Sequence, residues 1–323
     1  MMKIDAVITW VDGDDPSHKA KRALYGSSEI FKADDVAGST RFSSLGEIFW
    51  CVASLHRFAP WLNRIYIVTD EQDPGLEPFL NENFPDSRIP VEIVDHKTIF
   101  RGYEEYLPTF NSVSIETMTW RIPGLSEHYI ELNDDMMLAY PMLPSDFFTE
   151  DGKPVCYAGK YSRLWTSLTR KLKPKRNGKR KVTFKGLMMN AADLAGRQWY
   201  FLKIDHTPRP LLKSFYEQWF ASHPETMIRN IRHRFRDADQ FNPQVLQAQY
   251  LHLNGLNKLE PVKGNLFFFQ SKKNGAYFEK KMKRLEKSAV KFVCLNSLDQ
   301  AAPQERKRLE SWIGKTLGLV LNK

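Results

Sequence analysis

Two adjacent carboxylates, Asp134 and Asp135, interrupt the run HYIELNDDMMLAY, which otherwise has the apolar residues of a buried strand. In an extended strand Asn133 and Asp135 share one face and Asp134 points to the other. Carboxylates this close raise each other's pKa unless something positive compensates. A hard divalent cation such as Mg²⁺ (or Mn²⁺) does so, held by one or two carboxylates together with substrate phosphates. The plain alternative is a solvated turn, and the apolar residues on either side argue against it. The stretch TWVDGDDP offers a second chemistry. Gly13 lets backbone approach a ligand closely and Asp12 can meet a ribose or base; an ordinary strand-to-turn connection explains the same residues. In LPTFNSVSIE, Asn111 or Ser112 reads first as a helix cap. His206, in KIDHTPRP, is a lone histidine, a residue more often structural than catalytic. IRHRFRDADQFNPQ clusters Arg232, Arg234 and Arg236 with Asp237 and Asp239. Two guanidiniums on one face suit a phosphate, and a loop laced with salt bridges is the simpler reading.

The elements that must hold these residues follow a repeating plan. The stretches IDAVITWVD, RIYIVTD, VEIVDH and HYIELNDD are short, β-rich and end on acidic residues. Between the first two, Leu45, Ile48, Phe49, Val52 and Leu55 recur at helical spacing, with Pro60 beyond. Strand, helix or loop, then strand predicts an α/β fold with a mainly parallel, Rossmann-like sheet flanked by helices. Ligands of such sheets bind outside the carboxyl ends of the strands. Asp12, Asp70, Asp95 and the acidic pair would then gather at one rim. After Phe148 the pattern predicts helical additions: PLLKSFYEQWFASH, NPQVLQAQYLHLNGL and a tail helix from Ala301 to Leu321. Residues 1–150 read as the α/β core, 151–198 as a basic loop or insertion, and 199–323 as a C-terminal part with helices and a basic tail.

Composition bounds the class. With 42% apolar and 13% aromatic residues, 323 residues can bury a proper core, which excludes disordered and fibrous classes. No apolar run approaches the ~18 residues of a membrane span. The N-terminus reads as a first strand rather than a signal peptide. Three scattered cysteines, Cys51, Cys156 and Cys294, fit neither a disulfide framework nor a zinc site, and a cytoplasmic location follows. The net charge of +9 is uneven: RKLKPKRNGKRKVTFK, from Arg170 to Lys185, contains no acid. Solvated surface is the bland reading; attraction to an acidic polymer or to the anionic inner face of a membrane is the sharper one. The second half lacks regular aromatic–basic interleaving, so a nucleic-acid module is not expected. No P-loop, G-x-S-x-G, H-E-x-x-H or paired C-x-x-C is present.

Taken in order, the segments resemble the four blocks of the Stealth family. That family includes bacterial capsular polysaccharide phosphotransferases and the catalytic subunit of the eukaryotic enzyme that builds the mannose-6-phosphate tag. IDAVITWVDGDDP resembles the first block. The second runs from RFSSLGEIFW through SEHYIELNDDMMLAYP, the third from HTPRPLLKSFYEQWF to HRFRDADQFNP, and FVCLNSLDQAAPQERKRLESWI resembles the fourth. The fourth departs from the family pattern: Ser297 stands where an acid usually follows Cys-Leu-Asn.

The resemblance implies transfer of a sugar 1-phosphate, such as N-acetylglucosamine 1-phosphate, from a nucleotide sugar (a UDP-sugar favoured) to an acceptor hydroxyl of an oligosaccharide or capsular polysaccharide. The products are a phosphodiester and a nucleoside monophosphate. It implies a nucleotide-sugar-binding fold similar to GT-A glycosyltransferases. The metal ligand maps to the acidic pair, Asp134 and Asp135, with Asp135 first and Asn133 beside it. The catalytic histidine maps to His206 and the phosphate-binding arginine to Arg236. TWVDG (Trp10, Asp12, Gly13), Arg41 and FNS (Asn111, Ser112) map to donor-site segments. Two other readings compete. A conventional metal-dependent glycosyltransferase would use the same donor site and release a nucleoside diphosphate. A noncatalytic polyanion-binding protein would use the basic run and leave the acidic rim unexplained.

Overall fold

The computed structural model describes residues 2–26, 46–171, 182–196, 198–270, 275–287 and 289–320. Arg41, Leu45 and residues 172–181 of the basic run lie outside the described residues.

A five-stranded sheet forms the centre. Its strands are β1 (Ile4–Thr9), β2 (Arg64–Thr69), β3 (Val91–Asp95), β4 (His128–Asn133) and β8 (Arg209–Leu212), in the order β3-β2-β1-β4-β8. The first four run parallel and β8 runs antiparallel against β4. Each residue of β1 is buried, as a central strand covered on both faces requires. Ile4, Ala6 and Ile8 face one core, and Val7 faces the other, the two-residue period of a strand. Asp5 is buried in the same strand, and its carboxylate accepts from Asn63 Nδ2 and the Ser126 N–H, both at 2.7 Å.

Two small sheets flank the centre. One orders β10 (Leu266–Gln270), β11 (Phe292–Asn296) and β5 (Met136–Leu138); the other orders β7 (Tyr200–Ile204), β6 (Val155–Ser162) and β9 (Lys258–Glu260). Apart from a single turn at His96–Ile99, the α-helices among the described residues are α1 (Pro16–Tyr25), α2 (Glu47–Phe58), α3 (Leu76–Asn83), α4 (Ser112–Glu116), α5 (Arg163–Lys171), α6 (Phe184–Leu194), α7 (Lys213–Ser222), α8 (Pro224–Ile231), α9 (Pro243–Leu253), α10 (Gly275–Lys287) and α11 (Pro303–Leu317). Helix α2 and the sheet of β5, β10 and β11 pack into the Ile4/Ile8 core, together with α10 and α11. Helices α6, α7, α8 and α9 pack into the Val7 core.

The parallel sheet and its helices match the expected fold class, and the second half differs from it in detail. Helical additions alone do not describe that half, because β6, β7, β9, β10 and β11 build most of both small sheets and β8 joins the central one. PLLKSFYEQWFASH begins as strand, and its helix starts only at Lys213. Pro210 stands in β8, at the edge of the sheet, where a missing N–H is tolerated. The segment expected as a basic loop holds β6, α5 and α6. Segments 1–150, 151–198 and 199–323 also share sheets, through β4–β8, β5–β11 and β6–β7.

The acidic pair is not in a strand. Asp134 and Asp135 form the turn between β4 and β5, where the chain leaves the central sheet for a small one. Strand alternation therefore does not govern them, and both carboxylates face the same cleft.

Candidate active site

Thr9 and Asn133 are register partners at the carboxyl ends of β1 and β4. Beyond them opens a cleft of about 470 Å³, an ordinary size for a small-molecule site. Asn133, Asp134 and Asp135 line it. So do Trp10 after β1, Ser112 at the start of α4, His206 in the turn between β7 and β8, and Arg236 between α8 and α9.

The acidic turn is electrostatically unbalanced. Burial holds the Asp134 carboxyl well above its usual range, and the neighbouring charges of Asp135 and Glu47 add to the shift. Asp135 Oδ1 is buried with no hydrogen-bond partner. Its Oδ2 accepts from the Cys294 thiol at 3.4 Å. Burial, then Asp135, pushes that thiol far up, so it stays protonated. Ligand atoms of Asp135, His206 and Cys294 lie within 4.8 Å of one another.

His206 is stacked between Phe184 and Phe268, at ring-centroid distances of 5.6 and 5.0 Å. Burial lowers its pKa against the pull of Asp135, which keeps the imidazole neutral near pH 7. Its Nδ1 is buried and has no partner. Arg236 Nη2 donates to Ser112 Oγ at 2.6 Å. Burial lowers the Arg236 pKa while Glu116, also on the cleft wall, raises it; a guanidinium stays charged regardless. Trp10 is 8% exposed and its Nε1–H is buried without an acceptor.

Other expected residues stand elsewhere. Asp12 and Gly13 do not line the cleft. The Asp12 N–H donates to Gln72 Oε1 and its carboxylate accepts from the Asp14 N–H, so it fastens a turn. Asn111 is fully buried: its Oδ1 accepts from the Val113 N–H, capping α4, and its Nδ2 donates to the His233 carbonyl and Gln240 Oε1. The gathered acidic rim is also only partial. Asp70 pairs with Lys21 at 3.3 Å, Asp95 accepts from the Lys97 and Glu71 N–H groups, and neither lines the cleft.

The sequence reading missed Arg209. This side chain is 4% exposed and lines the cleft. Its Nη1 donates to Asn133 Oδ1 at 2.9 Å and lies 3.7 Å from Glu131 Oε1. Glu131 also accepts from Gln244 Nε2 and Thr119 Oγ1. Burial and then Glu116 push its pKa up to about 8, while Arg209 pulls it down. Glu131 itself was the available signal: a carboxylate inside an otherwise apolar strand needs a partner. Glu131 and Arg209 are paired in the β4–β8 register.

The sequence matches known proteins in two ways. Residues 2–29 match the model of Stealth protein conserved region 1, and residues 41–156 match conserved region 2. Over 288 residues the chain is 31% identical to the capsular polysaccharide phosphotransferase fcs1 of Haemophilus influenzae, covering 88% of this chain and 74% of that one. The chain belongs to the Stealth family. The capsular polysaccharide phosphotransferase WcwK of Streptococcus pneumoniae is 29% identical across 100% of the Stealth chain and 98% of its own length. The exopolysaccharide phosphotransferase SCO6021 of Streptomyces coelicolor is 44% identical over 149 residues, 46% of this chain. The Stealth chain spans 26% of SCO6021's length and 44% of that of the receptor polysaccharide phosphotransferase WefC of Streptococcus oralis. Among solved structures, galactosyltransferase LgtC aligns over 99% of this chain with 11% identity and a TM-score of 0.46, a loose likeness. Among the described residues no helix is long and apolar enough to cross a membrane.

Proposed function

We propose that this Stealth chain is a polysaccharide phosphotransferase that moves a hexose 1-phosphate, such as N-acetylglucosamine 1-phosphate, from a nucleotide sugar to a sugar hydroxyl. The product is a phosphodiester in a capsular or cell-surface polysaccharide, and a nucleoside monophosphate leaves. A UDP-sugar is the favoured donor. The observation that carries the reading is the meeting of Asp134, Asp135, His206 and Arg236 in one cleft, alongside relatives named as polysaccharide phosphotransferases.

Attack at phosphorus asks for a positioned nucleophile and for neutralised charge on the nonbridging oxygens. His206, held flat between two phenylalanines, is neutral, and in the tautomer protonated at Nε2 its unpartnered Nδ1 would take the hydroxyl proton of the acceptor sugar. Arg236, oriented by Ser112, offers its remaining N–H donors to the phosphoryl oxygens. Trp10 has an unused donor for the donor substrate. The residues also fit a divalent cation. The unpartnered Asp135 Oδ1 and the uncompensated acidic pair call for positive charge, and Asp135 would hold it with Asn133 alongside. Mg²⁺ or Mn²⁺ would there supply charge neutralisation for the pyrophosphate.

The deciding experiment is product analysis with radiolabelled nucleotide sugars. Release of UMP or another monophosphate with phosphate incorporated into the acceptor is the expected result. Release of a diphosphate without phosphate incorporation overturns the reading in favour of a conventional glycosyltransferase.

A further inference from the structure

Burial and polarity are inverted along α5. Leu164, Trp165 and Leu168 are 67%, 71% and 47% exposed, whereas Arg163, Thr166 and Ser167 are half-buried. At 100° per residue the three apolar side chains fall within roughly 100° of arc, so they make one face. The polar side holds the helix to the protein. Arg163 pairs with Asp193 on α6, and Thr166 Oγ1 donates to the Ser162 carbonyl at 2.8 Å. Trp199 extends the face: it is 87% exposed, and its carbonyl accepts from the Arg163 N–H at 3.0 Å. A surface helix of a globular protein turns its apolar side inward. Large clustered apolar exposure marks an interaction site.

The charge around this face says what it meets. Lys185 and Lys203 place their ammonium groups over the Tyr161 ring, at 5.5 and 5.3 Å, with Lys203 also paired to Asp205, and Lys160 lies over Tyr200 at 4.9 Å on the other face of the β6–β7 pair. In the sequence alone, the stretch from Arg170 to Lys185, which begins in the last turn of α5, is rich in lysine and arginine and has no acid. A soluble acidic polymer would satisfy the cations and leave Leu164 and Leu168 nothing to bury against. The headgroup boundary of an anionic bilayer satisfies both, and tryptophan favours that depth.

We propose that α5 and Trp199 dock this chain onto an anionic lipid surface, with Leu164, Trp165, Leu168 and Trp199 entering the headgroup boundary and the flanking cations meeting lipid phosphates. Helix α6 carries both Asp193, which anchors Arg163, and the cleft-lining Phe184 and Leu187. Docking would therefore tie one wall of the cleft to the bilayer.

The test is flotation of the full chain with vesicles of phosphatidylcholine and phosphatidylglycerol, beside vesicles of phosphatidylcholine alone. The expected result is binding to the mixed vesicles that weakens as salt rises. The combined Leu164→Ser, Trp165→Ser and Leu168→Ser variant should partition at least about tenfold less, with unchanged circular dichroism and unchanged turnover on a short soluble acceptor. Brominated lipids should quench the wild type more than Trp165→Phe. Failure to float, or equal flotation of wild type and variant, overturns the proposal. So does retention of both on an acidic polysaccharide without vesicle binding, which would assign the face to polymer. Flotation needs no turnover, so its outcome is separate from that of the reaction proposed above.

Discussion

At the scale of single residues, the cleft separates chemistry from support. His206 and Asp135 have buried polar atoms left unused within the fold, whereas Asn111 has spent its side chain on a cap and two carbonyl-type acceptors. Replacing His206 with Ala should lower kcat by about 10²–10⁴-fold, the usual contribution of a positioned acid–base group. Asp135→Ala should abolish turnover and weaken the response to added Mg²⁺. Both variants should keep the wild-type circular dichroism and thermal midpoint within a few degrees. Near-normal turnover in either folded variant removes that residue from the reaction. The acidic pair stood out in the sequence as a compact motif between apolar residues, whereas His206, a lone histidine, was pointed to only by the family resemblance. The sequence did not distinguish Asp12 from Trp10 or Asn111 from Ser112, because residues one or two positions apart where a strand ends or a helix begins point in different directions. Only the three-dimensional partners, Gln72 and Gln240 here, decide which of them is already occupied.

At the scale of elements, the contact between β4 and β8 combines structure and site. Arg209 and Glu131 are cross-strand partners, almost wholly buried, and Arg209 also orients Asn133. Removing only the cation, as Arg209→Met, leaves a protonated buried acid beside Glu116 and an unpaired Asn133 Oδ1, and should cost about 1–3 kcal/mol. Adding Glu131→Gln should restore much of that stability without restoring turnover, because Asn133 still lacks its donor. Thermal unfolding and initial rates on the two variants, with Glu131→Gln alone, would close the cycle. Additive losses in stability would refute the pairing. The four parallel strands were legible because each is a β-branched run ending in a polar residue. The strands of the second half were not: β9 has three residues, and β10, LFFFQ, carries no two-residue alternation. Pro210 also disguised β8, since only an edge position makes proline acceptable in a strand.

At the scale of the whole molecule, a continuous sheet with cores on both faces buries titratable groups that do not line the cleft. His56 is held at about 4 by burial, and its Nε2 has no partner. His96 is also held near 4 by burial. Both histidines stay neutral in the fold below the pH at which an unfolded chain protonates them, near the ordinary value of 6.5. Protons then bind the unfolded state preferentially, so stability should fall as pH drops from 6.5 towards 4 and be insensitive to these groups above 6.5. Each group contributes at most about 1.4 kcal/mol per pH unit. Urea unfolding midpoints across that range should show the decline, and His56→Leu should make it shallower. An unchanged slope would mean that His56 already carries its proton in the fold. The order of pairing has a temporal consequence. Strand β5 and the acidic turn precede their partner β11 by about half the chain, and the end of β11 with the loop after it supplies Asn296 to Asp299 to the cleft. During synthesis the carboxylates emerge early and the wall opposite them emerges late. A nascent chain halted before Phe292 would therefore display its acidic turn to solvent with one wall of the cleft missing, and the reaction proposed above would wait until translation had passed that point.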